Sequence, residues 1–268
     1  MLKVIRGLLA AVAVVLVVPA PAGAQWINHP DPRTPRLPNG KPNLTAPVPR
    51  TATGRADLSG IWIRIAPSRR DNPNNNNLLD FLPEGQTIEM LPEAEALYRH
   101  RRDVLLGSGR PSERCMPHGI PDGMLPGIPF KFVETPGVVL ILSEQLGRFR
   151  QVFTDGRAYP ADPHPAYFGY ALGKWDGDTF VIESTGFNDM SWLDDSGHPH
   201  SDALKTTERF RRIDFGHMEM RVTIEDPKTY VRPFTATISF ELLPDTELIE
   251  DVCEGERDSA RIKDIFGK

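Results

Sequence analysis

The chain has 268 residues, 40% of them hydrophobic and 25% charged, with 31 Lys and Arg against 36 Asp and Glu for a formal charge of −5. An acidic balance argues against nucleic acid as a partner, because phosphate backbones are gripped by clustered Lys and Arg. The length suits one sizeable core, of the kind a single β-barrel or sandwich buries.

Lys3 and Arg6 precede an apolar run from Leu8 to Val18, followed by Pro19, Pro21 and Ala22-Gly23-Ala24. That order predicts a signal peptide over residues 1–24, cleaved after Ala24, and so a periplasmic or secreted protein. The run falls short of the roughly 20 residues that span a membrane, and no permanent membrane anchor is expected. Residues 25–56 are rich in proline and lack a hydrophobic period, as an extended arm would be. The remainder, 57–268, is expected to form one domain, with a helical and loop insertion at about 66–128.

Asp57–Ile63 reads as the first strand, and the polar patch Asp71–Asn77 as an exposed loop. A helix is predicted over Leu91–Leu106. Pro92 suits its first turn, Glu93 and Glu95 the positive end of its dipole, Arg101 and Arg102 the negative end, and Gly107 its stop. The only cysteines, Cys115 and Cys253, are an even pair in a chain bound for an oxidising compartment and are expected to form one disulfide. Closing so long a loop would stabilise the fold by roughly 4–5 kcal/mol in the chain-entropy account. The alternative is a metal held through the spacing Cys115-Met-Pro-His118.

From Phe130 onward the pattern is sheet. Met218–Ile224 and Phe234–Phe240 alternate apolar and polar strictly, and further strands are expected over Val138–Ser143, Arg148–Thr154, Tyr170–Trp175, Asp178–Glu183, Leu204–Ile213 and Glu247–Val252. Asp176-Gly177 reads as a two-residue hairpin, with further turns at Asp155-Gly156 and Phe215-Gly216. Many short strands joined by hairpins predict a mainly β protein, an antiparallel up-and-down barrel of lipocalin or calycin type with one helix in its N-terminal half. Gly60-Ile61-Trp62 resembles the Gly-x-Trp start of lipocalin barrels. The resemblance implies that the tryptophan plugs one end beneath an arginine from a late strand, with Arg209, Arg211 and Arg232 as candidates.

The strings Leu58-Ser-Gly-Ile-Trp62, Gly173-Lys-Trp-Asp-Gly-Asp-Thr-Phe-Val-Ile-Glu-Ser-Thr-Gly-Phe-Asn-Asp189, Pro199-His-Ser-Asp202 and Thr207-Glu-Arg-Phe210 resemble a large group of secreted proteins of soil and environmental bacteria. The likeness spans nearly all of the chain beyond the leader and supplies no reaction. Members of that group usually carry histidine after the last cysteine, where Glu254 stands here.

Chemistry is expected in Gly186–Phe210, a polar stretch between two strands. His200 is the first candidate for proton transfer, with Asp202 or Asp195 to orient it. Strand parity puts Glu208 on the face of Leu204 and Phe210, so it points inward, either as a desolvated acid or paired with an arginine such as Arg150 or Arg157. Trp192, Trp175, Tyr170 and Tyr167 offer an aromatic wall, and Arg157 a cation near the mouth. No metal cofactor is expected; His198 and His200, spaced to point alike on a strand, are the alternative site for a divalent ion. The reading is a small-molecule enzyme using histidine and carboxylate on a cyclic or apolar substrate, by isomerisation, elimination or hydrolysis. A non-catalytic carrier and a structural envelope protein are the alternatives.

Overall fold

A computed structural model describes residues 30–65, 76–105, 109–111 and 115–249. The leader, most of the Asp71–Asn77 loop, Gly107, Cys253 and the last residues of the expected strand Glu247–Val252 lie outside them. Residues 247–249 are irregular rather than strand.

Nine strands close into a barrel in chain order: β1 (Ile61–Arg64), β2 (Phe130–Thr135), β3 (Val138–Ser143), β4 (Phe149–Phe153), β5 (Tyr170–Asp176), β6 (Thr179–Thr185), β7 (Lys205–Arg212), β8 (His217–Glu225) and β9 (Phe234–Leu242). The expected barrel is present, with one difference of topology. Strand β5 runs parallel to β4 through Val152↔Ala171 and Phe153↔Leu172, and every other pair is antiparallel. A parallel pair needs a return crossing, which residues 154–169 make as an irregular segment. The β5–β6 hairpin turns on Gly177-Asp178, one residue later than read from the sequence, because Asp176 still pairs with Thr179 and Gly177 takes φ +58°.

Alternation decides what fills the barrel. Along β7, Thr206, Glu208, Phe210 and Arg212 are buried, as are Met218, Met220, Val222 and Ile224 of β8 and Ala236, Ile238, Phe240 and Leu242 of β9. Phe132 meets Phe210 edge-on at 5.2 Å, and Phe130 meets Phe240 at 5.1 Å. A barrel this narrow can be filled by its own side chains, and here it is.

Trp62 is fully buried and donates Nε1–H to the carbonyl of Leu58 at 2.9 Å. The arginine over its ring is Arg212, 4.8 Å from the centroid, rather than Arg209, Arg211 or Arg232. Parity explains the correction: Arg212 shares the inner face of β7 with Glu208 and Phe210, whereas Arg209 and Arg211 point outward. The Arg212 guanidinium donates to the carbonyls of Asp57, Ser59, Asp214 and Phe215. Gly60 lies under Leu242 at φ +115°, where an added Cβ would fall 2.4 Å from Leu242 Cδ1.

Outside the barrel, α1 (Pro92–Asp103) starts on Pro92, as expected. No helix among the described residues is long and apolar enough to cross a membrane.

Candidate active site at the barrel mouth

The loop between β6 and β7 is held from within. Asp194 is fully buried: Oδ1 accepts from the His198 amide at 3.0 Å, and Oδ2 from the Leu78 amide at 2.7 Å and His198 Nδ1 at 2.6 Å. The His198 ring stacks on Tyr98 of α1, 4.2 Å between centroids. Trp192 packs under the Arg101 guanidinium at 4.7 Å, and Tyr230 donates its hydroxyl to the Pro199 carbonyl at 2.5 Å. The Tyr98–His198 and Arg101–Trp192 contacts fasten the loop to α1. Trp192 is thus an internal contact, and it lines neither the His118 cavity nor the cleft beside the arm.

His200 is a buried member of this loop. Its Nδ1 lies 3.1 Å from the Ser201 carbonyl, which can only accept, so Nδ1 carries the proton and Nε2 accepts from Ser191 Oγ at 2.8 Å. Burial lowers its pKa, against opposing contributions from the Ser201 carbonyl and the Asp226 charge. Neither Asp202 nor Asp195 orients it. Asp202 is 68% exposed and pairs with Lys228 at 2.7 Å. His198 and His200 engage separate partners and do not converge on a common point.

Glu208 is wholly buried, and both its oxygens are taken by Arg150 of β4, at 3.0 and 2.6 Å. Ser184 accepts a further bond from Arg150 Nη2 at 2.8 Å. The inward carboxylate therefore has its cation, and the pair ties β4 to β7 across the interior.

Asp195 leads elsewhere. Its Oδ2 accepts from Asn76 Nδ2 at 2.6 Å, and it lies beside His118 and Asp122, with ligand-type atoms of all three within 4.8 Å of one another. Burial and the neighbouring Asp122 charge push its pKa up to about 6, against Asn76, Arg110 and His118. His118 and Asp122 belong to the segment Cys115–Ile128, which runs over the barrel end where β4 and β7 begin and β6 finishes. They are 6% and 5% exposed, and His118 Nδ1 stands 2.5 Å from Asp122 Oδ2. His118 Nε2 and Asp122 Oδ1 are buried without any hydrogen-bond partner. Burial disfavours the charged ring, but the charge of Asp122 and the hydrogen bond to it outweigh that and raise the His118 pKa.

Such a donor set would suit a small divalent cation. The spacing favours a hydrogen-bonded pair instead: two ligands each 2.0–2.1 Å from one metal stand roughly 2.9–3.4 Å apart, more than separates Nδ1 from Oδ2. A carboxylate held on Nδ1 also faces away from anything bound at Nε2.

His118 lines a cavity of about 40 Å³, together with Arg148, Arg150, Phe149, Phe168 and Ile120 among others. Ser191, the partner of His200, abuts the same segment, since a Cβ on Gly119 would sit 2.3 Å from its Oγ. The other expected site residues stand apart. Trp175 leans on Phe180 beneath Arg55. Tyr170 stacks on Phe153, Arg157 is bound to Asp155, and the Tyr167 hydroxyl lies 3.9 Å from Met190 Sδ. Phe168, next to Tyr167, reaches the cavity in its place, beside Phe149. A larger cleft of about 1010 Å³, where the arm meets the barrel near Gly60 and Arg212, has no histidine among its lining residues.

Reading the sequence missed Asp122, Arg148 and Phe168, and noticed His118 only beside Cys115. No free cysteine occurs among the described residues; the partner expected for Cys115 lies outside them. Comparison with protein-family models, curated proteins and solved structures finds no match to this chain.

Proposed function

We propose that this protein is an exported enzyme that moves a proton on a small, largely apolar molecule at its barrel mouth. His118 acts as base and then acid, and Asp122 holds the ring. The carrying observation is a histidine whose Nδ1 is fixed by a buried carboxylate while its Nε2, unpartnered, belongs to a cavity-lining side chain. In such a pair Nε2 takes a proton from carbon or oxygen, Nδ1–H stays with Asp122, and the proton is returned elsewhere on the same molecule or to a leaving group. Isomerisation and elimination fit that sequence. Buried polar atoms without partners cost about 1–3 kcal/mol each, a cost that a purely structural role gives no reason to bear.

The carrier reading has less support, because the interior is filled by Phe132, Phe210, Met220, Phe240 and the Arg150–Glu208 pair. Export rests on the apolar leader Leu8–Val18, and kinship with the secreted bacterial group on the strings around Trp175 and Phe210.

The test is to incubate the protein with a mixture of small cyclic and apolar acids, alcohols and esters and follow each by mass spectrometry. Wild type is expected to convert at least one compound, and His118→Gln to slow that conversion by at least a hundredfold. Equal conversion by the variant would remove His118 from the chemistry; saturable binding with no product would return the carrier reading.

A further inference from the structure

Three nitrogens without partners gather on the side chains around the 40 Å³ cavity: His118 Nε2, Arg148 Nε and Arg150 Nε. Two of them, on the arginines, are donors only, and the arginines differ in charge balance. Arg150 is neutralised by Glu208. Among the described residues the Arg148 guanidinium makes one hydrogen bond, from Nη2 to the Cys115 carbonyl at 2.7 Å, and has no carboxylate partner. The strand supplies this arrangement. A tight turn over Gln145–Gly147 leads into β4, and residues two apart on a strand share a face, so Arg148 and Arg150 both lie on the side that Val152 buries.

We propose that the cavity binds the carboxylate of a small organic acid, one oxygen taking the Arg148 and Arg150 Nε–H groups and the α-carbon lying against His118. Of the two guanidiniums that line the cavity, Arg148 is the one with no carboxylate partner among the described residues, and it faces a site with room for about one carboxylate or one water, whose share of liquid volume is about 30 Å³. The body of the acid lies outside that space, over Phe168 and over Phe149, a cavity-lining ring that is 58% exposed and carries the site to the surface. Beside a base, the same guanidinium would stabilise the negative charge that grows on the carboxylate when a proton leaves the neighbouring carbon. This subsite rests on the acid–base reading for its purpose, and on its own geometry for its existence.

Calorimetric titration of the full chain with benzoate, its uncharged isostere benzamide, and inorganic phosphate tests it. Benzoate is expected to bind saturably, benzamide at least tenfold more weakly, and Arg148→Gln to weaken benzoate at least tenfold and benzamide by a smaller factor. Equal binding of benzoate and benzamide, or wild-type benzoate affinity in Arg148→Gln, would overturn the subsite. Phosphate binding more tightly than benzoate would overturn the carboxylate assignment. Should Arg148→Gln not fold, the wild-type comparison decides, together with a shift of the Arg148 Nε–H resonance on adding benzoate. His118→Gln separates the two ideas. Benzoate binding kept with conversion lost supports both, whereas conversion that needs His118 without any benzoate binding overturns the subsite alone.

Discussion

Among the described residues three histidines sit beside an aspartate, and what else each ring meets sets its role. His198 is stacked on Tyr98, with an aspartate that also binds the Leu78 amide, so it serves as a clamp. His217 is half-exposed beside Asp214. His118 alone of the three has a buried nitrogen left over at a cavity. His200, the expected catalyst, is a neutral ring between Ser191 and the Ser201 carbonyl, and its lowered pKa has a consequence for stability. Near pH 6.5 the unfolded chain takes a proton that the folded ring refuses. The contribution of His200 is therefore intact above pH 6.5 and is lost as pH falls through its lowered folded value. Each tenfold difference in proton affinity between the folded and unfolded chain is worth about 1.4 kcal/mol. His118 has the opposite sign, its contribution full below pH 6.5 and lost as pH rises through its raised value. Denaturant unfolding at pH 5 and 7.5 should show His200→Gln losing less stability on acidification than wild type; an unchanged acid-side loss would mean that the ring is not buried neutral. The sequence pointed to His200 because it stands among acidic and aromatic neighbours in one polar loop. It could not show that Asp195 of that loop meets Asp122 and His118 from a segment some seventy residues earlier, since nothing periodic marks Cys115–Ile128.

At the scale of elements, period-two alternation carried most of the fold. It placed β3 to the residue, most of the other barrel strands within a residue or two of their ends, and Glu208 on the inner face. The same parity, carried two residues past Phe210, identifies Arg212 as the arginine over Trp62. The parallel β4–β5 pair was not legible, because residues 154–169, with Pro160, Pro163 and Pro165, read only as loop. Alternation also could not choose between a catalytic Glu208 and one paired with arginine; the answer came from β4, across the barrel. A buried ion pair of this kind predicts an asymmetric response. Glu208→Gln leaves the Arg150 charge without its counterion and should cost about 3–5 kcal/mol, while Arg150→Met combined with Glu208→Leu should lie close to wild type. Chemical denaturation of both variants checks this, and a stable Glu208→Gln that fails in conversion would instead restore Glu208 to the chemistry.

For the molecule as a whole, the barrel is a scaffold and the chemistry is assigned to what covers it. A filled interior fixes β4, β6 and β7; these present Arg148, Arg150 and Ser184 at one end, and the Cys115–Ile128 segment and the β6–β7 loop bring His118, Asp122 and Asp195 over them. That division explains why one stretch of sequence held only part of the site. The most direct measurement of the central claim is the titration of the His118 ring by nitrogen-resolved NMR, in wild type and in Asp122→Asn. A pKa above 6.5 that drops in the variant, with the neutral ring protonated at Nδ1 and bare at Nε2, is the predicted result; an ordinary pKa that Asp122→Asn leaves unchanged would contradict it.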